Sequence, residues 1–127
     1  RIGVLKNEMS LKELSDYVKK VLNAPYLRVV GNLSKPVHKV AVCGGAGSDF
    51  ITTAKFLGAD VYITGDVKYH DAVDAIAMDI AVIDAGHFAT ENLMIPKLAK
   101  YIAEQAVYMG FDVEVKVYTD VEPFVIV

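Results

Sequence analysis

A strand that runs into a glycine-rich loop and then into a helix is the feature that most constrains the fold of this chain. Val37–Cys43 is apolar and β-branched, Gly44–Asp49 follows as the loop, and Phe50–Leu57 has a helical pattern. Apolar strands without polar alternation, separated by helices, are typical of sheets that are covered on both faces. The chain is therefore predicted to be α/β, with an open, mostly parallel or mixed sheet and helices on both faces.

The same alternation of strands and helices continues along the rest of the chain. Ser10 and Glu13 have the spacing of a capping box, Gly110 is a helix-ending residue, and Pro96 predicts a delayed start or a bend in the last helix. Further strands are predicted at Leu27–Val30, Val61–Thr64, Ile80–Ile83 and Val113–Val117, and further helices at residues 11–23, Tyr69–Met78 and from about His87 to Met109.

Composition limits the classes of function. With 127 residues, of which 54% are hydrophobic and 23% charged, the chain is predicted to form one domain, residues 1–127, with a real core. The net charge of -3 and the lack of clustered basic residues argue against nucleic-acid binding. Cys43 is the only cysteine, so no internal disulfide is expected. No apolar run reaches the roughly 20 residues of a membrane span, and a cytoplasmic location is the default expectation.

Three polar clusters follow three of the predicted strands. They are Gly44–Asp49, Gly65–Asp71 and Asp84–Glu91. In open α/β sheets, functional groups gather at the carboxyl ends of the strands. We therefore expect these clusters to face one crevice.

The third cluster contains a candidate metal-binding pair. His87 and Glu91 are four residues apart, so on a helix they share one face, and both side chains are good donors to Zn, Mn or Fe. The structural alternative is that Thr90 caps a helix, Glu91 occupies its first turn and His87 is an ordinary loop residue. The spacing is common and a metal site needs third and fourth ligands, so the pair alone slightly favours the structural alternative.

The second cluster contains an imidazole beside two carboxylates. His70, near Asp66 and Asp71, has the chemistry for proton transfer, for orienting a metal-bound water, or for direct ligation. Alternatively, Asp66 is a helix N-cap and His70 is exposed on that helix. Local sequence favours this second interpretation.

The glycine loop is a candidate anion site, because backbone N–H groups at a strand-to-helix turn can hold a phosphate. Gly45 and Gly47 supply the first two glycines of a dinucleotide fingerprint, and Asp66 lies at about the distance expected for a ribose contact. Phe50 replaces the third glycine, and the sequence of a P-loop is absent. The alternative is that the glycines only permit a tight turn.

Three segments together closely resemble a known family. They are Val40–Gly47, Thr64–Ala72 and Asp84–Glu91. The resemblance extends from Arg1 to Phe124 and is to the Nif-three-like dinuclear-metal family, often called GTP cyclohydrolase I type 2 homologues. It implies an α/β fold, a ring-like homohexamer, and two divalent ions facing an internal cavity.

By this resemblance, His87 and Glu91 correspond to late metal ligands of the family, and His70 lines the same pocket as a candidate catalytic residue. Gly45, Asp66 and Lys68 are then candidate substrate-binding residues. This favours the functional interpretation of each cluster. The implied activity is metal-dependent hydrolysis of GTP or a related nucleotide, and a non-enzymatic role stays open beside it.

The sequence also departs from the family. An early His-His-Pro segment and a further Asp ligand belong to an N-terminal half that this chain lacks, and the chain begins at Arg1. We therefore expect a C-terminal half that binds metal poorly and is inactive without its own N-terminal half. Two alternatives stay open: a non-enzymatic metal-binding scaffold or regulatory interaction protein, and a nucleotide-binding module that uses the Gly44–Gly47 loop.

Overall fold

The computed structural model describes residues 1–118 and 120–125. The chain divides into two compact units, residues 1–90 and residues 91–127. This division does not test the expectation that residues 1–127 are one domain of a larger protein, which stays a prediction.

The first unit contains a five-stranded open sheet in the order β1-β3-β4-β5-β2. Its central strands β3, β4 and β5 run parallel, and the two edge strands pair antiparallel with their neighbours. The strands are β1 (Ile2–Ser10), β2 (Arg28–Val30), β3 (Pro36–Ala46), β4 (Val61–Gly65) and β5 (Ala81–Asp84). The predicted α/β class and mixed sheet are confirmed.

Apolar side chains form a core on each face of this sheet. On one face α1 (Leu11–Val21) packs through Leu11, Leu14 and Val18. On the other face the core includes side chains of α2 (Ile51–Phe56) and α3 (Tyr69–Ala77). All four β5 residues are buried, which is the burial pattern of a central parallel strand.

The sequence predicted most elements of the first unit, with ends displaced by a few residues. Ser10 and Glu13 form the complete capping box at the start of α1. Before α2, residues Ser48–Phe50 form a short 3₁₀ turn. Strand β3 extends to Ala46, so it contains the first glycines that were predicted to lie in a loop.

Strand β1 was not predicted. Its only strongly apolar stretch is short, because Lys6-Asn7-Glu8 interrupts it. The register with β3 shifts between Val4 and Met9. An edge strand with charged residues and an irregular register lacks the uninterrupted pattern by which central strands are recognised.

Past β5, the predicted long helix is interrupted. Helix α4 (His87–Asn92) ends before Leu93, and α5 (Met94–Tyr108) begins immediately after it. Pro96 lies in the first turn of α5, where its missing N–H is tolerated. The expected delayed start is wrong, because α4 begins at His87, and the single predicted helix is instead divided at Leu93.

Gly110 ends α5 as predicted. Its φ of 75° is left-handed, and its N–H donates to Val107 O at 3.1 Å while Phe111 N–H donates to Ala106 O at 2.9 Å. These two bonds form a Schellman motif.

The predicted strand Val113–Val117 is wrong, since residues 111–118 form no strand in the structure. The segment alternates apolar and charged residues, which is the pattern of a half-buried strand. A strand exists only when a neighbour supplies hydrogen-bond partners, and the five paired strands of the described residues do not include this segment. Val113 and Val117 are exposed.

In the part of the chain that the structure describes, no helix combines the length and the apolar character needed to cross a membrane.

Candidate metal centre

The end of β3 is held against β4 by side-chain hydroxyls. Thr64 Oγ1 donates to Gly45 O and accepts from Gly47 N, each at 3.0 Å. The Tyr62 hydroxyl donates to Gly47 O at 2.8 Å. Burial raises the pKa of Tyr62 to about 12, with a smaller contribution from the nearby Cys43. The glycine segment is thus anchored at the carboxyl end of the sheet.

Thr90 connects this segment to the start of α4. Its Oγ1 accepts from Gly45 N at 2.9 Å and lies 2.8 Å from Gly86 O, to which it donates. The N–H groups of Gly45 and Gly47 are therefore both bonded to threonine hydroxyls. An anion would have to displace those hydroxyls to use them, which weighs against the phosphate-cradle interpretation.

The central contact of the site joins the second and third polar clusters. His87 Nδ1 lies 2.7 Å from Asp66 Oδ2, and both side chains are about half exposed. Of the two neutral tautomers of the ring, a carboxylate at Nδ1 favours the one with its proton on Nδ1 and its lone pair on Nε2. Asp66 thus has the position of a carboxylate that orients the His87 ring.

Gly65 allows the two loops to approach this closely. A Cβ added at this position would lie 2.7 Å from the backbone carbon of Gly86 and 2.8 Å from His87 N. Side chains essentially never pack at such distances. A glycine at the end of β4 is therefore required for the position of the Gly86–His87 backbone.

The other predicted site residues lie along the start of α3. Lys68 is the residue before the helix, and its N–H donates to Asp71 Oδ2 at 3.2 Å. Asp66, which was the alternative N-cap, bonds to His87 instead. His70 is exposed and its ring contacts the Tyr69 ring edge-on, with centroids 5.6 Å apart.

The fit of a metal ion to these residues is partial. His87 has the carboxylate partner typical of a metal-binding histidine, and Glu91 belongs to the same short helix, α4. Among residues 1–118 and 120–125, no three or more His, Cys, Asp or Glu side chains are grouped so that they could hold an ion. A site on His87 thus needs donors beyond those grouped in this chain.

Sequence reasoning assigned no role in the site to three polar residues that organise it. Thr64, Asp84 and Thr90 are all buried. For Thr64 and Asp84 the available signal was a polar residue at the end of an apolar strand, since a buried polar group needs a hydrogen-bond partner. The identity of each partner depends on the pairing of β3, β4 and β5, which the sequence did not specify.

Comparison with known proteins gives a consistent family match. The model of the family described as Duf34/NIF3 (NGG1p interacting factor 3) matches residues 1–123. A Bacillus subtilis (strain 168) protein named GTP cyclohydrolase 1 type 2 homolog is 42% identical over 125 residues, which are 98% of this chain and 33% of that protein. A protein of the same name from Clostridium acetobutylicum is 38% identical over 98% of this chain and 47% of that protein.

Solved structures agree with these matches. A Bacillus cereus protein related to NIF3 has a TM-score of 0.95 and 39% identity, covering 99% of this chain and 35% of that one. A Staphylococcus aureus hypothetical protein has a TM-score of 0.92 and 30% identity, with coverage of 99% and 42%. The chain thus spans between a third and a half of the length of these relatives.

Proposed function

This chain belongs to the Duf34/NIF3 family, and we propose that it supplies His87 and Glu91 as ligands to a divalent-metal site in a longer protein. The observation that carries the proposal is the 2.7 Å contact between His87 Nδ1 and the Asp66 carboxylate. Metal-binding histidines usually donate one ring N–H to such a partner, which fixes the ring for ligation through the other nitrogen. Glu91 follows four residues later in α4.

We infer that the remaining ligands come from a part of the protein that is outside this chain. Each divalent ion needs four or more donors, and the proposed site holds two ions of Zn, Mn or Fe. The chain accounts for 33% of the length of the Bacillus subtilis relative. An N-terminal half of the same protein is the proposed source of the missing donors.

The proposed activity is hydrolysis of a nucleotide. Bound divalent ions would supply Lewis acidity at a carbonyl, phosphate or purine carbon. The exposed ammonium group of Lys68 would attract an anionic substrate, and the exposed imidazole of His70 would transfer a proton. GTP or a related nucleotide is the proposed substrate, because two relatives carry the name GTP cyclohydrolase 1 type 2 homolog.

Metal analysis of the longer protein tests the ligand assignment. His87→Ala is expected to lower the bound metal well below the content of the wild type, because one imidazole donor is lost. His38→Ala is the matched control, since His38 is an exposed histidine in the first half of β3. Equal metal content in wild type and His87→Ala would refute the assignment of His87.

Turnover separates an enzyme from a metal-binding scaffold or regulatory interaction protein. The metal-loaded longer protein is assayed against a panel of nucleotides, beside His87→Ala. Hydrolysis that His87→Ala abolishes supports the proposed enzyme. Stoichiometric metal binding without hydrolysis of any nucleotide in the panel would favour the metal-binding scaffold.

A nucleotide-binding module is the weaker alternative, because the Gly45 and Gly47 N–H groups already donate to threonine hydroxyls. It predicts nucleotide binding that survives chelation and is unchanged in Glu91→Gln. The proposed substrate role of Lys68 has a separate test: equal nucleotide affinity in wild type and Lys68→Ala would count against it.

We further propose a cytoplasmic location and, as the family resemblance implies, a homohexameric ring. Native mass spectrometry of the longer protein tests the assembly. A mass of six subunits is expected, and a monomer would contradict the ring.

A further inference from the structure

Asp84 is a buried carboxylate for which the proposed chemistry has no role. It is the last residue of β5 and is 4% exposed, in a strand whose other residues are apolar. A carboxylate is removed from water at high cost unless hydrogen-bond donors surround it. Its donors therefore show what the residue does in the fold.

Two of these donors are backbone N–H groups from the two loops of the candidate site. Val67 N donates to Asp84 Oδ2 and Gly86 N donates to Asp84 Oδ1, each at 3.0 Å. Asp66 precedes Val67, and His87 follows Gly86. One buried side chain thus anchors the residue next to each member of the Asp66–His87 pair.

Both anchored turns have left-handed backbone conformations. Asp66 has a φ of 56° and Gly86 has a φ of 80°. A non-glycine residue adopts this conformation at an energetic disadvantage unless its surroundings hold it there. The Asp84 carboxylate bonds to the N–H that follows Asp66, and this contact helps to hold the turn.

Arg28 completes the arrangement from β2. Its Nη2 donates to Asp84 Oδ2 and also to Val67 O, the latter at 2.7 Å. The Arg28 side chain is 61% exposed. Arg28 can therefore be replaced without opening a cavity in the core, which makes it a second probe of the same network.

We propose that Asp84, supported by Arg28, is the positioning residue that holds Asp66 and His87 at hydrogen-bonding distance. The proposal rests on the proposed function, because the pair it positions is the one that presents His87 to a metal ion. Asp84 acts through the backbone of both loops and does not itself need to contact metal or substrate.

Asp60 is a matched control for Asp84, because it is a carboxylate with a structural role only. Its Oδ2 accepts from His38 N at 2.9 Å and Lys39 N at 2.7 Å, so it also binds two backbone N–H groups. It precedes β4, at the opposite end of the parallel strands from the candidate site. Asp60→Asn is expected to perturb the fold locally and to leave His87 unchanged.

The decisive experiment records the ring ¹⁵N signals of His87 in the longer protein without metal, for wild type, Asp84→Asn, Arg28→Gln and Asp60→Asn. At a pH where the imidazole is neutral, the wild type and Asp60→Asn are expected to show one predominant tautomer, protonated at Nδ1. Asp84→Asn is expected to show a mixture of tautomers, and Arg28→Gln a smaller change in the same direction. If Asp84→Asn fails to fold, Arg28→Gln gives the answer. The proposal is overturned if Asp84→Asn and Arg28→Gln, where they fold, have the same His87 ring ¹⁵N signals as the wild type.

Zinc affinity then connects the positioning to the proposed function. Loss of a carboxylate that bonds directly to a ligand typically weakens metal binding by about 10- to 100-fold. Because Asp84 acts through the backbone, we expect a weakening of about 10-fold for Asp84→Asn, at the lower end of that range, and no change for Asp60→Asn. If the wild type binds no metal, the proposed function is contradicted. The positioning role of Asp84 is still tested, because the tautomer measurement is made without metal. Unchanged zinc affinity in Asp84→Asn would overturn the link between Asp84 and the metal site.

Discussion

At Gly65, both the fold and the candidate site depend on the absence of a Cβ atom. An added Cβ would be 2.8 Å from both Gly86 O and His87 N. The neighbouring atoms belong to backbone, which cannot rotate away as a flexible side chain can. The absence of a side chain at this position is therefore a condition for the contact between Asp66 and His87.

Gly65→Ala is expected to lower the free energy of unfolding by roughly 1–3 kcal/mol, because overpacking forces the backbone to shift. Gly3→Ala is the control, since a Cβ at Gly3 would have no neighbour within 4 Å. We expect that control to be neutral or to stabilise the protein by about 0.5 kcal/mol, as alanine does relative to glycine in a strand. Urea denaturation measures both, and equal stabilities of the two variants would contradict the packing argument.

Tyr62 is expected to make the stability of the protein depend on pH in the alkaline range. Burial, followed by the effect of Cys43, raises its pKa from 10.0 to about 12. Because the folded pKa is above the unfolded value, the contribution of Tyr62 to stability is fully present below pH 10.0 and is lost as the pH rises through about 12.

Tyr62→Phe tests this response. The variant is expected to lose about 1 kcal/mol of stability near neutral pH, because the hydrogen bond to Gly47 O is removed. Its stability should then fall less than that of the wild type between pH 10 and 12. Tyr17→Phe, at an exposed tyrosine, should follow the wild type. Parallel pH profiles for wild type and Tyr62→Phe would refute the buried-phenol account.

Helix α1 illustrates an element whose start is encoded locally. The Ser10 hydroxyl lowers the pKa of Glu13 from its ordinary 4.5, and the Ser10 backbone N–H lowers it further. Since the folded pKa is depressed, the cap contributes stability above pH 4.5 and loses it as the pH falls through the lower folded value.

Ser10→Ala is therefore expected to raise the pKa of Glu13 towards 4.5, without reaching it because the backbone bond remains. Removing a serine N-cap lowers the free energy of unfolding by about 1 kcal/mol. Ser34→Ala, at an exposed turn residue, serves as the control. NMR titration of Glu13 and urea unfolding measure the two effects. A Glu13 pKa that is the same in wild type and Ser10→Ala would contradict the cap.

The elements that the sequence predicted correctly have recognisable patterns within their own residues. The start of α1 has its capping box, the end of α5 has Gly110, and β4 and β5 are short apolar runs. The elements that it missed depend on distant partners. Strand β1 forms because β3 offers an edge, and Val113–Val117 forms no strand despite its alternating pattern, because it pairs with none of the described strands.

At the scale of the whole molecule, the parallel order of β3, β4 and β5 is what brings the polar clusters together. The sequence predicted a shared crevice from the strand ends, and bonds between the clusters support this for residues up to Thr90. It could not specify that Asp66 bonds to His87 and that Asp84 joins their loops, because these contacts depend on the twist and register of adjacent strands. The metal ligands themselves stay a prediction.

X-ray absorption at the zinc edge of the loaded longer protein tests the central claim most directly, because it counts the imidazoles bound to the metal. The account predicts that His87→Ala lowers the number of imidazole ligands per site relative to wild type, and that His38→Ala leaves it unchanged. An imidazole count in His87→Ala equal to that of the wild type would contradict the assignment of His87 as a ligand.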